Sequence, residues 1–309
     1  IAMLYRQTSV AIALGVSILS VPATAQVTVN TGLEFITGDY GKSSSTDEWR
    51  IPLGVSYRTG PWNFRLNAPI SRVEGVANVV EQEAGSVATN SFVDSDDDGI
   101  IDDDDDDIDG GLGGGGGGGG SGSGSAASTS SLTSRTQTGL GDATASAFYT
   151  LLAPETSIVG LDIGGRIKLP IGSKNKCFLT NGEIDYTVQA DVYQSFGRFE
   201  PFASVGWTKR GDPQRRDSSC SVVAGERVDL RDPLFFGFGS GFRINDASTV
   251  RIQYEYREKL RDRADPRSEA KVSYLYRIGE SWRAGAFATT GFSDNSPDWS
   301  VGASISFRF

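Results

Sequence analysis

The residues with the most distinctive chemistry form an acidic run in the first half of the chain. Between residues 94 and 105, aspartates occupy positions 1, 3, 5, 9 and 12 of a twelve-residue window, and glycine occupies position 6. Oxygen ligands at this spacing converge on Ca2+, and glycine permits the sharp turn between them. The spacing predicts a calcium-binding loop with the ligands Asp94, Asp96, Asp98, Ile100, Asp102 and Asp105.

The surroundings of this acidic run leave a second interpretation open. Position 12 is Asp105 where an EF-hand has glutamate, and the acids continue through Asp107 and Asp109 without evident flanking helices. An aspartate tract of this kind also remains disordered when it has no apolar residues to bury. Residues 110–124 are mostly glycine with serine, which is typical of a flexible linker. We therefore expect residues 73–134 to form a long extracellular loop insertion with either a calcium site or a disordered acidic tract.

The N-terminus has the pattern of a secretory signal peptide. Arg6 precedes an apolar stretch over residues 10–21, and Ala23, Thr24 and Ala25 form a small-residue cleavage site. The apolar stretch is shorter than the roughly 20 residues that a membrane-spanning helix needs. These features predict a signal peptide over residues 1–25 and a mature chain over residues 26–309.

Cys177 and Cys220 are the only cysteines, and both fall in segments without strand periodicity. An exported protein meets an oxidising compartment, which favours a disulfide between them. Two unpaired thiols are the alternative, because sequence spacing does not reveal the geometry that a disulfide requires.

Histidine is absent from the whole chain. This absence excludes serine–histidine hydrolases and removes the commonest zinc ligand, so we expect no enzyme activity and no catalytic residues. The formal net charge of −10 comes from the acidic insertion, and the rest of the chain is near neutral. Nothing in this balance indicates nucleic-acid binding.

Twelve segments alternate apolar and polar residues with a period of two, as β-strands do. They begin near residues 27, 49, 62, 143, 159, 184, 203, 234, 250, 272, 282 and 299. The connections between them are alternately short and long, and tryptophans lie near strand ends. This pattern favours an all-β, transmembrane, antiparallel up-and-down barrel of about 12 strands over a soluble β-sandwich, with the short turns periplasmic.

The apolar parity of these strands would face lipid, so the opposite parity would face the lumen. A basic residue facing lipid near the midplane costs about 2–4 kcal/mol, which leaves the lumen as the favourable place for charge. Twelve strands should leave a narrow path. The predicted lumen-lining residues are Arg58, Arg65, Phe148, Asp162, Arg166, Lys168, Asp185, Asp191, Phe235, Arg243, Arg251, Glu255, Arg257, Lys271 and Arg277.

Aromatic residues share this inward parity with several glycines. Phe148, Phe202, Phe235 and Phe287 are the phenylalanines concerned. They either contact small aromatic solutes or simply pack in a narrow barrel, and the sequence leaves both interpretations open.

Six strings along the strands and turns are distinctive: residues 57–66 (YRTGPWNFRL), 138–142 (TGLGD), 168–170 (KLP), 195–199 (SFGRF), 210–213 (RGDP) and 291–299 (GFSDNSPDW). Together they resemble the transporter-like outer-membrane barrels associated with the meta-pathway of phenol degradation. The resemblance covers nearly the whole mature chain except residues 73–134. It implies a barrel of about twelve strands that admits aromatic or other hydrophobic compounds and has no catalytic residues. Phe309 similarly resembles the C-terminal signal that the barrel-insertion machinery reads.

These observations lead to two functional hypotheses. The first is a channel or transporter in the outer membrane of a Gram-negative bacterium, surrounded by lipid and lipopolysaccharide, for passive uptake of small, aromatic or hydrophobic solutes. The second is a non-conducting structural or binding barrel that displays a calcium-binding surface loop. The barrel itself needs no cofactor in either hypothesis.

Overall fold

The computed structural model describes residues 25–41, 44–75, 135–154, 157–172, 176–216, 221–262 and 264–309. These residues form antiparallel strands joined by turns and loops. The strands are β1 (Ala25–Gly38), β2 (Thr46–Thr59), β3 (Trp62–Gly75), β4 (Arg135–Leu140), β5 (Ala143–Leu152), β6 (Gly160–Leu169), β7 (Asp185–Tyr193), β8 (Phe199–Lys209), β9 (Gln214–Arg216), β10 (Val222–Arg227), β11 (Leu234–Asn245), β12 (Ser248–Arg257), β13 (Arg267–Ile278), β14 (Trp282–Gly291) and β15 (Trp299–Arg308).

Twelve of these strands close into a barrel, as the sequence predicts. The order around it is β1, β2, β3, β5, β6, β7, β8, β11, β12, β13, β14 and β15, and β15 returns to pair with β1. The closing pair is antiparallel, running from Thr28 opposite Arg308 to Thr37 opposite Trp299. Closure gives every strand two neighbours and leaves no edge in the ring.

One position in the ring is shared by two strands. β5 pairs with residues 62–67 of β3. β4 pairs with residues 70–75 of the same strand, up to Gly75 opposite Arg135. Gly141 and Asp142 separate β4 from β5, and the Gly141 amide donates to the Pro69 carbonyl. Residues 73–75, which the sequence prediction assigns to the insertion, therefore belong to β3.

The outer face of the barrel is apolar and exposed. Leu33, Leu53 and Val188 are 49%, 42% and 57% exposed, although they lie in the middle of regular strands. Aromatic rings meet on this face near strand ends, with 4.8 Å between the centroids of Phe35 and Trp49. A continuous exposed apolar band flanked by aromatic residues is the surface that a bilayer requires. No helix within the described ranges is long and apolar enough to cross a membrane.

The two ends of the barrel differ in the length of their connections. Short turns follow β2, β5, β7, β11 and β13, and Gly60, Gly197 and Gly279 adopt positive φ in three of them. This is the short-turn end, where both termini of the barrel also lie. The long-loop end includes a feature that periodicity does not reveal, because β9 and β10 form a separate two-stranded sheet in the long connection between β8 and β11. β9 is polar throughout, and the apolar residues of β10 (Val222, Val223 and Ala224) are adjacent in sequence, so no period-two alternation marks this sheet.

Several predictions concern segments outside the described residues. These are most of the signal peptide, most of the insertion, and all six calcium ligands from Asp94 to Asp105. The signal peptide and the calcium site stay predictions.

Val188→Arg tests the lipid-facing assignment, because Val188 lies in the middle of β7 with its side chain on the outer face. We expect a loss of about 2–4 kcal/mol in the free energy of unfolding from lipid vesicles, measured by urea titration. The matched control is Ile158→Arg, whose position in a short turn is 89% exposed, and a change of about 0–1 kcal/mol is expected there. Equal losses for the two variants would contradict the assignment.

Candidate functional site

All fifteen predicted lumen-lining residues lie on the inward parity of their strands, and none belongs to the exposed apolar face. Nine of them are buried: Phe148, Asp162, Lys168, Asp185, Asp191, Phe235, Arg251, Arg257 and Lys271. The other six are partly exposed: Arg58, Arg65, Arg166, Arg243, Glu255 and Arg277. The inner wall is therefore strongly charged, as expected where apolar residues occupy the opposite face.

The charges form two layers along the barrel axis. Counted from the short-turn end, the third inward position of each strand carries no charge, and these residues form a neutral layer: Asn30, Gly54, Asn67, Ser146, Gly164, Gln189, Ser204, Gly239, Gln253, Ser273, Phe287 and Ser304. One charged layer lies between this neutral layer and the long-loop end. The other lies between the neutral layer and the short-turn end.

A buried triad begins the layer near the long-loop end. Arg50 donates to both carboxylate oxygens of Glu48, at 2.9 and 3.1 Å, and its Nη1 lies 3.7 Å from Glu34. Glu34 is opposite Arg50 on the neighbouring strand, whereas Glu48 is two residues away on the same strand and face. One guanidinium thus stabilises two buried carboxylates, none of the three side chains being more than 4% exposed.

A second buried cluster connects the wall to a loop. Lys168 Nζ lies 3.1 Å from Asp185 and 3.5 Å from Asp142, and it donates to the Asn181 side chain at 2.7 Å. Arg210 Nε lies 3.8 Å from the same Asp185 carboxylate. Two bases therefore neutralise two acids in a region that excludes water.

The third group in this layer is a quartet on β12 and β13. Glu255 lies opposite Glu269, and Arg257 lies opposite Arg267. Like charges would repel across the strands, but each arginine binds the glutamate two residues away on its own strand, with 3.2 Å between Arg257 and Glu255. The period of two along a strand makes these pairs possible.

Residues 176–182 pack against the barrel at its long-loop end, and the sequence analysis does not predict this contact. Cys177, Phe178 and Leu179 pack in one apolar cluster with Tyr40 and Val73. The Phe178 amide donates to the Gln137 side chain at 2.9 Å. The only signal for this packing is the adjacent apolar pair at residues 178 and 179, which no period-two pattern includes. Burial in this cluster raises the pKa of the Tyr40 hydroxyl well above its usual range.

The structure describes only one of the two cysteines of the predicted disulfide. Cys177 is buried in the loop between β6 and β7. Cys220 lies outside the described residues, so the pairing stays a prediction.

Four inward phenylalanines each lie against a glycine on a neighbouring strand. The pairs are Phe148 with Gly164, Phe202 with Gly239, Phe235 with Gly206, and Phe287 with Gly302. A Cβ added to any of these glycines would come within 2.5 Å of the ring. The rings therefore lie along the wall, which favours the packing interpretation for them.

Basic side chains cover three of these rings. Arg251 lies 5.9 Å from the Phe202 centroid, Arg257 lies 5.7 Å from Phe235, and Lys271 Nζ lies 5.1 Å from Phe287. These are cation–π distances, so the rings help to hold the cations in the wall.

The layer near the short-turn end holds seven arginines and three acids. The arginine arc, carried by β2, β3 and β11–β15, comprises Arg58, Arg65, Arg243, Arg251, Arg277, Arg283 and Arg308. The acidic arc, carried by β6–β8, comprises Asp162, Asp191 and Glu200. The arcs meet where Arg243 binds Glu200 at 2.5 Å. The parity of the sequence predicts that most of these residues face the lumen. It does not reveal that basic and acidic residues occupy different parts of the barrel wall.

The described residues contain no group of three or more histidine, cysteine, aspartate or glutamate side chains placed to hold a metal ion. The charged inner wall can attract, repel and hydrogen-bond solutes through its fixed charges.

Comparison with known proteins gives no match to any family model or to any curated protein. Among solved structures, the chain resembles the COG4313 outer membrane channel from Pseudomonas putida F1, with a TM-score of 0.60 at 12% identity over 94% of this chain and 97% of that one. The chain has an outer-membrane barrel fold. The NanC porin matches with a TM-score of 0.50 at 10% identity, over 91% of this chain and 98% of that one.

The same fold also serves a different role. The translocator domain of the autotransporter NalP from Neisseria meningitidis matches with a TM-score of 0.50 at 10% identity, over 93% of this chain and 89% of that one. At these identities the likeness establishes the fold alone, so the function of this barrel has to be argued from its own lumen.

Arg50→Met tests whether the buried triad stabilises the barrel. Removing the guanidinium leaves Glu34 and Glu48 buried without their shared base, and we expect a loss of about 3–5 kcal/mol in the free energy of unfolding, measured by denaturant titration in detergent micelles. The control is Arg215→Met in the exposed pair with Glu226, where the expected loss is at most about 1 kcal/mol. Similar losses in both variants would contradict the assigned role.

Gly206→Ala tests the packing of rings on glycines. The added methyl would lie 2.2 Å from the Phe235 ring, so we expect a destabilisation of about 1–3 kcal/mol in the same unfolding titration. Gly165→Ala on the outer parity of β6 is the control, because its nearest neighbour, the Thr187 carbonyl oxygen, is 3.0 Å away. Adding Phe235→Ala to Gly206→Ala should cancel the steric part of the loss. An additive double variant would refute the contact.

Proposed function

We propose that this protein is a passive channel for small solutes in the outer membrane of a Gram-negative bacterium. The observation that carries the proposal is the charged inner wall of a closed barrel whose outer wall is apolar. Charges on the inward parity of nearly every strand need water or polar partners, and a solute path provides both. The likeness to an outer membrane channel agrees with this function.

We assign the narrow section of this path to the layer near the long-loop end, where residues 177–179 pack against Val73 of the inner wall. Arg50, Lys168, Asp185 and Arg210 are at most 3% exposed there, and of the seven arginines near the other end only Arg251 is as buried. Residues 176–182 contact this section through the bond from Lys168 to Asn181. Solute entry from the long-loop side is therefore controlled by paired charges and by this loop segment.

The remaining parts of the proposal follow from the membrane environment. The long-loop end faces outward and contacts lipopolysaccharide, and the short-turn end faces the periplasm. The barrel-insertion machinery assembles the chain. Aromatic or hydrophobic solutes remain within the proposal, but the wall rings that would contact them are mostly covered by basic side chains.

Current through the purified protein in planar bilayers tests the channel function. We expect discrete single-channel steps from the wild type. The double variant Phe178→Ser with Leu179→Ser should conduct more, because residues 176–182 lose their apolar contacts with Tyr40 and Val73. Ile171→Ser, at an exposed position of the same loop, should conduct like the wild type.

Correctly folded wild-type protein that gives no steps at any voltage would contradict the channel function. An unchanged conductance in the double variant would show instead that residues 176–182 do not restrict the path.

A further inference from the structure

We propose that the lumen selects anions, and that the solutes it favours are small organic carboxylates. This inference rests on the proposed channel function and specifies its substrate class. The charge distribution of the inner wall carries it, in particular the imbalance of the layer near the short-turn end.

The arginine arc outnumbers the acidic arc by seven side chains to three, a surplus of four positive charges. One of the three acids, Glu200, is bound to Arg243. The other two, Asp162 and Asp191, lie opposite each other and interact with Tyr193 and Gln189 at 3.4 and 2.7 Å. The potential of this layer is therefore positive across most of its circumference.

The positions of the arcs in the ring strengthen this effect. β7 lies six strand positions from β15, and β6 lies six positions from β14, so the two acidic strands face Arg308 and Arg283 across the lumen. Charges of opposite sign on opposite walls create a field across the path. A solute with a carboxylate at one end is both attracted and oriented by that field.

The narrow section does not cancel the surplus. Its strands carry seven inward basic residues: Arg50, Arg135, Arg166, Lys168, Arg257, Arg267 and Lys271. They carry five inward acids: Glu34, Glu48, Asp185, Glu255 and Glu269. All five acids lie in ion pairs, so this section offers a passing cation no ring of acidic side chains without basic neighbours.

A basic cavity at the long-loop end extends the same preference to the entrance. It has a volume of about 210 Å³, and Arg215, Arg216 and Arg261 line it together with Thr180, Asn181, Pro213, Gln214 and Val228. Among the residues that the structure describes, no acidic side chain lines the cavity, and Arg215 also binds Glu226. Asn181, one of its lining residues, accepts a hydrogen bond from Lys168 of the inner wall.

Arginine is the side chain that matches a carboxylate best, because its planar fork donates two parallel hydrogen bonds. A neutral hydrocarbon gains no charge pairing from this wall, and a small cation meets a positive potential in the layer near the short-turn end. Carboxylates therefore fit the charge pattern better than either alternative.

Reversal potentials in planar bilayers under a potassium chloride gradient test the inference. We expect the wild type to favour chloride over potassium by about tenfold, the lower end of the range by which clefts of one charge sign concentrate counter-ions. Replacing chloride by benzoate should leave a measurable anion current. The variants combine partly exposed positions of the arginine arc, namely Arg58, Arg65 and Arg283.

The triple variant with glutamine should reduce the preference toward unity, because the surplus falls from four charges to one. The triple variant with glutamate should reverse the sign of the reversal potential. Arg72→Gln is the matched control, because Arg72 is exposed on the outer parity of β3, and it should behave like the wild type. Migration of unheated and heated samples on gels verifies that each variant forms a barrel.

Wild-type channels that conduct without anion preference would overturn this inference and leave the channel function standing. A preference that survives all three glutamates would also overturn it, and chloride current without benzoate current would overturn the assignment to carboxylates. Absence of any current would overturn the channel function itself. If the glutamate variant does not form a barrel, the reversal potentials of the wild type and the glutamine variant still test the inference.

Discussion

The antiparallel pairing of β1 with β15 is the interaction on which the rest of the structure depends. Inside a bilayer no water satisfies a backbone amide or carbonyl, and each unsatisfied group costs several kcal/mol. Pairing from Thr28–Arg308 to Thr37–Trp299 removes the two edges that an open sheet would leave. Once the ring is closed, the pleat assigns every residue to lipid or lumen, and a one-residue slip would exchange the two faces of a strand.

This assignment explains why so many charges lie inside a small barrel. Because the outward positions of the strands are apolar, a charged side chain on a strand must face the lumen. Closely packed wall residues exclude much of the water there. Arg50 between two glutamates and the quartet on β12 and β13 show the consequence. Buried ions are tolerated when each has a partner, and the pleat provides one two residues away or directly across the strands.

Period-two alternation predicts the twelve barrel strands and their faces, because each outward position must be apolar and that constraint is local. Contacts between segments distant in sequence are not local, so Phe178 and Leu179 packing on Tyr40 and Val73 could not be predicted. The pairing of Phe235 with Gly206 likewise depends on the register between β8 and β11, which alternation alone does not fix. The layering of charge requires the same registers, and therefore emerges only when the strands are aligned.

The separation of the two charged layers by an uncharged one has a physical reason. A passing ion loses hydration where the lumen is narrow, and fixed charges of a single sign there would bind it too tightly to release. Near the long-loop end every inward acid is paired, which leaves that section with an excess of only two basic side chains. Near the short-turn end six of the seven arginines are partly exposed and only Arg251 is buried, so water screens most of them, and in the proposed channel the surplus of charge would attract an anion without trapping it. Asn30, Asn67 and Ser146 in the neutral layer offer hydrogen bonds between these sections, so in the proposed channel a solute would move from paired charges to surplus charge through sites of intermediate strength.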